Sequence, residues 1–251
     1  MAYVNANGVV LARTRVGDND AILTVYTDAL GIIKVSAKGI KSLKNKSHSG
    51  ATLFSYSSFV LRPGKTMYYL VSAELIMSFY SLSANIEMLA FATYIADITV
   101  YSFTDSDPEP AVLSLLLNTF YLLSKTDTDP RKVKNVYELK MLYYTGVGIN
   151  TSGCLSCGKA EGLSYFTKEG GLLCENCKGK FISSFKISPD CEKALKYIME
   201  TEDKKAFSFK VSKKVLDEIE YITDTFFARH IDKKFYSLTY LNNIMGKESN
   251  L

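Results

Sequence analysis

The first third of the chain alternates apolar and polar positions in short runs that turn-forming residues separate. A two-residue period is typical of strands, because successive side chains point to opposite faces of a sheet. The pattern predicts five strands, over residues 4–12, 21–27, 31–37, 54–61 and 67–73. Short strands joined by tight turns favour a small barrel or sandwich over residues 1–80.

From about residue 81 the spacing of apolar positions becomes that of helices. Residues 85–103 are apolar nearly all round, which predicts a buried central helix. Acidic, proline-containing segments follow and supply N-caps for later helices. These are predicted over residues 111–125, 131–144, 189–200 and 211–230, with a docked terminal segment at 235–241. The predicted fold class is α+β, with a β-barrel domain at 1–80 and an α-helical domain at 81–251.

Two Cys-x-x-Cys pairs interrupt the helical region, with 16 residues between Cys157 and Cys174. This spacing is typical of a four-cysteine zinc site. The spacer predicts a hairpin, because strand-like residues 163–167 and 171–173 flank a turn at 168–170. Four thiolates complete a tetrahedral site and leave no open position for substrate or water. The expected cofactor is one structural Zn²⁺, held in an insertion at about 150–180 by Cys154, Cys157, Cys174 and Cys177.

Two other interpretations of the cysteine pairs are redox dithiols and disulfides. A redox pair is expected beside a strand–helix–strand unit, and the pattern predicts none there. Disulfides suit small secreted chains, whereas the N-terminus here lacks the features of a signal peptide. The fifth cysteine, Cys191, has no partner at ligand spacing and is predicted to be a packed thiol near a helix start.

The net charge is a modest +4, but it is unevenly distributed. Residues 1–80 hold nine Lys or Arg against four Asp or Glu, which predicts an anionic partner for this segment. Residues 34–50 contain five lysines and no acid, and we expect this segment to be mobile until an anion orders it. A plain solvated surface is the competing interpretation. The candidate DNA-binding residues are Arg13, Arg15, Lys34, Lys38, Lys41, Lys44 and Lys46.

The setting of these cations favours nucleic acid. In the third strand the alternation places Lys34 and Ser36 on the face opposite Ile33 and Val35. A five-strand barrel with basic residues and surface aromatics is how oligonucleotide-binding (OB) folds hold single strands. The pattern leaves open which of four tyrosines stack on bases and which are core: Tyr26, Tyr56, Tyr68 and Tyr69.

Several enzyme classes lack their sequence signatures here. There is no phosphate-binding loop, no dinucleotide fingerprint and no nucleophile elbow. The two histidines, His48 and His230, lie in the basic segment and at a helix end, and we expect no catalytic role for either. The most apolar stretch, 111–123, is too short to span a bilayer. We therefore expect a binding protein rather than an enzyme, located in the cytoplasm and without a membrane partner.

Three short motifs occur in an order that identifies a family. A Gly17-Asp-Asn-Asp20 turn comes first, followed by the lysine-bearing strand at 31–39. A helix with Tyr137-Glu-Leu then precedes the Cys-x-x-Cys-Gly sequence that begins at Cys154. The chain resembles the bacterial RecO family of recombination mediators from end to end, most clearly over 3–62 and 130–178. It departs from the family in the lead-in at 151–153 and in having lysine rather than arginine in its basic segment.

The resemblance implies an OB-fold barrel, a helical domain and a zinc-binding element. It also implies binding of single- and double-stranded DNA, annealing of complementary strands without ATP, and association with the nucleoid. The implied partners are RecR, single-strand-binding protein through its acidic C-terminal tail and, indirectly, RecA. By charge alone, the candidates for the tail contact are Arg131, Lys132 and Lys134. Two rival functions are a zinc-ribbon factor that binds RNA or polymerase, and an enzyme that uses the cysteine pairs for thiol redox chemistry.

Overall fold

A computed structural model describes residues 3–104, 106–125 and 127–246. The chain divides into two compact units. The first comprises residues up to 126 together with those from 235 onward, and the second comprises residues 127–234. The predicted boundary near residue 80 marks the change from strand to helix. That this boundary also separates two independently folding domains stays a prediction.

The N-terminal strands close into a barrel. They are β1 (Val4–Val16), β2 (Asp20–Thr27), β3 (Gly31–Ala37), β4 (Ser55–Pro63) and β5 (Tyr68–Ser78). Their order around the barrel is β1-β2-β3-β5-β4, and β4 pairs back onto β1. The β3–β5 pairing is parallel, and the other neighbours are antiparallel. The predicted OB-like barrel is confirmed.

Alternation along the strands builds the barrel core. In β3, Val35 and Ala37 are fully buried while Lys34 is exposed, as the pattern predicts. Strand β1 is longer than predicted and runs on through Arg13 and Arg15. Because these residues are polar, the apolar alternation ends before the strand does. Main-chain pairing with β2 continues to Val16.

Beyond the barrel, the described helices are α1 (Tyr80–Ala84), α2 (Ile86–Phe103), α3 (Pro110–Leu123), α4 (Pro130–Tyr144), α5 (Pro189–Glu200), α6 (Lys213–His230) and α7 (Tyr236–Ile244). Helix α2 is the central helix of the first unit, as predicted, and Asn85 caps it by accepting from the Glu87 and Met88 amides. By length and composition α2 could cross a membrane, but half of it is buried within the protein, which is typical of a core helix.

The C-terminal segment returns to the first unit. Phe235 packs edge-on against Tyr94 and Tyr101, both on α2. At the start of α7, the Ser237 hydroxyl donates to Asp97 Oδ2 at 2.6 Å. The predicted docked tail is thus a helix, and Asp97 is an exposed carboxylate with a hydroxyl partner.

The second unit combines α4, α5 and α6 with a small sheet. Its strands are β6 (Asn150–Cys154), β7 (Leu163–Thr167), β8 (Gly171–Cys174) and β9 (Ser184–Lys186), in the order β6-β8-β7-β9. The β7–β8 hairpin is the predicted one. Strands β6 and β9 were not predicted, because five and three residues are too few to establish a period.

Candidate metal centre and basic surface

The four cysteines of the two pairs meet in the second unit. Their Sγ atoms all lie within 4.8 Å of one another, and those of Cys157 and Cys174 are 3.8 Å apart. A tetrahedral ion with Zn–S bonds of about 2.3 Å would hold its sulfurs about 3.8 Å apart. The donor set and its spacing therefore fit a metal ion of zinc's size and thiolate preference.

Two local structures position these sulfurs. Cys154 ends β6, and the chain turns back so that the Gly158 amide donates to the Cys154 carbonyl at 2.8 Å. Gly158 has φ +76°, a left-handed conformation that glycine adopts without strain. Cys174 ends β8, and Cys177 lies in the 3₁₀-helix at Glu175–Lys180. The β7–β8 hairpin thus brings the second pair beside the first.

Main-chain amides point at one of the sulfurs. Burial opposes ionisation of Cys154, but hydrogen bonds from the backbone of Cys174, Cys157 and Ser156 outweigh it and lower the pKa of the thiol to about 6. Such donors stabilise a thiolate, which is the form that binds metal. Cys191 is fully buried at the start of α5 and is not part of the cluster, so its assignment as a packed thiol is confirmed.

The predicted DNA-binding residues occupy two different faces of the barrel. Lys34 pairs with Thr24 across β2 and β3, and its ammonium donates to the Thr24 hydroxyl at 2.6 Å on the outer face. Arg13 pairs with Leu23, whose side chain is in the core, so Arg13 lies on the inward-facing row near the end of the barrel. Sequence alternation alone did not separate these two positions.

Arg13, Arg15 and Lys41 come together at one end of the barrel. The Lys41 ammonium donates to the carbonyls of Gly17 and Asp18 in the β1–β2 turn. The pKa of Lys41 is lowered by desolvation and by the positive charges of Arg15 and Arg13. In this cluster, Arg13 Nη2 is buried and has no hydrogen-bond acceptor among the described residues. Either a water or an anion would satisfy such a nitrogen.

The lysine segment after β3 folds into a series of turns. Successive turns are closed by main-chain bonds from Ser42 to Gly39, from Asn45 to Ser42 and from His48 to Asn45. Long-range bonds from main-chain amides attach the segment to the barrel, from the Gly39 amide to Asp20 Oδ1, from the Lys41 amide to the Asn19 carbonyl and from the Ala73 amide to the Ser47 hydroxyl. These polar anchors lie outside the local pattern, and the mobility of the segment stays a prediction.

Three lysine side chains of this segment nevertheless face water. Lys38, Lys44 and Lys46 are exposed, and none of them is in an ion pair within the described part of the chain. Leu43 at the tip is 87% exposed. The segment therefore presents uncompensated positive charge on a backbone that its own turns hold in place.

The tyrosines divide between core and surface. Tyr26 is fully buried, donates to the Glu109 carbonyl at 3.2 Å and packs against Phe103, so it belongs to the core. Tyr69 is partly exposed, and the Arg62 guanidinium stacks 4.6 Å from its ring centroid. Two residues were missed as candidates, Arg62 near the end of β4 and exposed Lys65 in the β4–β5 connection. The predicted turn at 62–65 could have identified both residues, because the loop between the fourth and fifth strands of an OB barrel commonly contacts ligand.

The cations of α4 are mostly engaged within the second unit. Lys134 is buried and lies 2.9 Å from both Glu138 Oε2 and Asp224 Oδ1. Arg131 contacts three carboxylates, those of Asp129, Asp217 and Glu220. Of the three candidates for the acidic-tail contact, only Lys132 has no carboxylate partner among the residues that the structure describes, and its ammonium lies over the Phe209 ring.

Comparison with known proteins gives a consistent result. The family models described as Recombination protein O N terminal and Recombination protein O C terminal match residues 1–79 and 83–239. The chain is 32% identical to the DNA repair protein RecO of Acetivibrio thermocellus, over 97% of this chain and 98% of that protein. It is 31% identical to the DNA repair protein RecO of Caldicellulosiruptor bescii, over 89% and 91% respectively.

Proposed function

Because the chain belongs to the RecO family of DNA repair proteins, we propose that it is a non-catalytic recombination mediator that binds single- and double-stranded DNA and anneals complementary strands. The observation that carries the proposal is the basic surface of the barrel. Exposed lysines without ion-pair partners among the described residues extend from β3 over the following segment, on a strand order typical of oligonucleotide binding. We assign the phosphate contacts to Arg13, Arg15, Lys34, Lys38, Lys41, Lys44 and Lys46.

Annealing by such a surface needs no chemical step. Two complementary strands repel each other through their phosphates, and ammonium groups offset that repulsion while leaving base edges free to pair. Binding of this kind releases counterions, so affinity falls steeply as salt concentration rises. ATP has no role in this mechanism, which agrees with the absence of a phosphate-binding loop in the sequence.

The proposed protein partners are RecR and single-strand-binding protein, whose displacement lets RecA load in the cytoplasm, at the nucleoid. For the acidic tail of single-strand-binding protein we propose the cleft next to Lys132. This cleft of about 540 Å³ is lined by apolar residues that include Tyr197, Phe209 and Val215, by Lys193 and Lys210, and by one carboxylate, Asp190, which pairs with Lys193 at 3.8 Å. Apolar walls with cations at the edge suit a peptide that carries both acidic and apolar residues.

For the cysteine cluster we propose one structural Zn²⁺ held by Cys154, Cys157, Cys174 and Cys177. Bound there, the ion would link β6, β8 and the 3₁₀-helix that follows. It would supply folding free energy and no chemistry, because all four positions of a tetrahedral ion are taken by protein sulfurs.

The test is a salt titration of single-strand binding and annealing with two matched variants. In the first, Lys38, Lys41, Lys44 and Lys46 are replaced by Ala. In the control, the same charge is removed elsewhere, at Lys159, Lys204, Lys205 and Lys234. We expect the barrel variant to bind more weakly. Its plot of log affinity against log salt should be flatter by about 0.7 for each phosphate that the protein no longer neutralises.

Three outcomes would count against the proposal. Equal affinities of the two variants at moderate salt would discard the barrel surface. Binding to RNA or polymerase without strand annealing would favour the zinc-ribbon alternative. A reducible disulfide in place of tightly held metal would favour thiol redox chemistry.

A further inference from the structure

A second surface with nucleic-acid chemistry lies on the sheet edge of the second unit. Here β9 and the first half of α6 form a cleft of about 330 Å³. The lining residues are Phe185, Lys186, Ile187, Lys214, Asp217, Glu218 and Tyr221. The sequence pattern did not predict this cleft, and the cleft is not part of the basic surface of the barrel.

One wall of the cleft is an exposed aromatic ring held by other rings. Tyr221 is 55% exposed, and its ring centroid lies 4.8 Å from that of Phe185 at an interplanar angle of 75°. Phe185 in turn packs on Phe166, which contacts Phe226. Because this chain of rings fixes the orientation of Tyr221, a ligand that stacks on its free face would order little that is not already ordered.

Cations line the rim of the cleft and continue beyond it. Lys186 and Lys214 are exposed, and neither is in an ion pair within the described residues. Across the β7–β9 pairing, Lys186 stands opposite Tyr165, whose ring carries the Lys178 ammonium at 5.1 Å. Exposed Lys180 follows two residues after Lys178. Lys178 is paired with Glu175, so the uncompensated positive charge here is that of Lys186, Lys214 and Lys180.

The carboxylates of the cleft are already engaged. Glu218 Oε2 accepts from the amide and the hydroxyl of Ser188, at 2.9 and 2.8 Å. Asp217 pairs with Arg131 at 2.9 Å. An acidic peptide that entered the cleft would bring its carboxylates towards these two. A nucleotide would place an uncharged base in the cleft, and its charged phosphates would lie outside the stacked ring.

We propose that this cleft binds single-stranded nucleic acid, with a base stacked on Tyr221 and neighbouring phosphates contacted by Lys186 and Lys214. Stacking on an aromatic ring combined with a cationic rim is the general chemistry of sequence-tolerant single-strand binding. The inference rests on the proposed function and deepens it. Each of the two units then has its own strand contact, in addition to the charge neutralisation by the barrel surface.

The absence of tryptophan from the chain provides a direct test. Tyr221→Trp introduces a single fluorophore at the proposed stacking position, and Tyr143→Trp introduces one at a 56% exposed tyrosine on α4 outside the cleft. Both full-length variants are titrated with oligothymidylate at low salt. Saturable quenching of the Tyr221→Trp fluorescence, reversed by added salt and absent from the Tyr143→Trp variant, is the expected result.

Affinity measurements provide the second readout. Tyr221→Ala is expected to weaken oligothymidylate binding about tenfold, whereas Tyr221→Phe keeps the ring and the affinity. Replacing Lys186 and Lys214 with Gln is expected to reduce the salt slope by about 1.4. Thermal melts of each variant confirm that it is folded. If Tyr221→Ala is misfolded, Tyr221→Leu takes its place.

Failure of this inference is distinguishable from failure of the proposed function. Wild-type binding to oligothymidylate without quenching in Tyr221→Trp, or quenching without an affinity change in Tyr221→Ala, would overturn the inference and leave the barrel surface intact. Stronger quenching by an acidic, apolar peptide than by oligothymidylate would also overturn it. If the wild type does not bind oligothymidylate at low salt, both the inference and the proposed function are contradicted.

Discussion

The lysines at the end of the barrel and the cations of α4 carry the same charge in opposite surroundings. Lys38, Lys44 and Lys46 are exposed, and none of them is in an ion pair within the described residues. On α4, Lys134 and Lys140 are buried, and each lies within 3.3 Å of a carboxylate oxygen. The two groups look alike in the sequence, but the structure assigns them different physical tasks.

The difference follows from the free energy of hydration. Burying an ammonium group is costly unless a carboxylate and hydrogen bonds replace its water, so each buried cation of α4 is matched to an acid. An exposed ammonium keeps its water and needs no partner within the protein, which leaves it available to a phosphate. Replacing an α4 cation should therefore reduce stability, and replacing a barrel lysine should reduce binding.

The cysteine cluster offers the strongest test of this contrast, because the proposed metal ion would join four residues of the second unit at one point. Cys154→Ser is expected to abolish metal binding and to lower the melting temperature by more than any single lysine or arginine replacement, because bound metal stabilises only the folded element. Its effect on DNA affinity should be smaller than that of the four barrel-lysine replacements. Metal analysis and circular-dichroism melts measure the first two quantities, and a salt titration measures the third.

Cys191→Ala is the matched control for the cysteine change. This residue is equally buried but lies outside the cluster, so the variant should retain one metal ion per chain. A metal-free Cys154→Ser protein with an unchanged melting temperature would contradict the structural role of the ion.

Lys134→Ala should produce the next largest effect. The change removes the buried cation beside Glu138, which is 1% exposed, and should lower the free energy of unfolding by about 3–5 kcal/mol. Lys38→Ala removes the same charge from the surface and should change that free energy by no more than about 0.5 kcal/mol. Urea unfolding measures both, and similar costs for the two variants would break the comparison.

The pH dependence of stability should show a smaller effect at the same site. Burial by itself lowers the pKa of Lys134, but Glu138 and Asp224 outweigh it and raise the pKa above the usual 10.5. The stability from this network is therefore complete below pH 10.5 and is lost as pH rises through the higher folded-state pKa. The stability advantage of the wild type over Lys134→Met should shrink by about 1 kcal/mol between pH 9 and 11.5. An advantage that grows with pH would reverse the assigned sign.

The smallest effect is expected for Arg15, whose carboxylate partner within the described residues is exposed Asp18, 3.8 Å away. Arg15→Gln should leave the free energy of unfolding within about 0.5 kcal/mol of the wild type. It should also reduce the salt slope of DNA binding by about 0.7. Asp18→Asn removes the acid instead. It should leave the free energy of unfolding close to that of the wild type and should not reduce DNA affinity. A loss of stability in Arg15→Gln would place this residue with the α4 cations.

Local patterns predicted the features that depend on local geometry. The period of apolar residues placed all five barrel strands and the main helices, and the β7–β8 hairpin followed from its turn at 168–170. Short spacing within each cysteine pair, together with this hairpin, predicted that four sulfurs would meet, and they do. Boundaries failed where polar residues continue a paired strand, as Arg13 and Arg15 do at the end of β1.

The sequence by itself determined that this chain has a five-strand barrel, a helical region and a cluster of four thiols, because those depend on period and spacing. Only the tertiary structure decided that Tyr26 is core, that Lys134 is matched to acids, and that Lys34 and Arg13 face opposite sides of the barrel wall. The physical reason is that burial and charge pairing arise between residues far apart in the chain. Asp224 lies 90 residues from Lys134, and Glu109 lies 83 residues from Tyr26, beyond the reach of any local pattern.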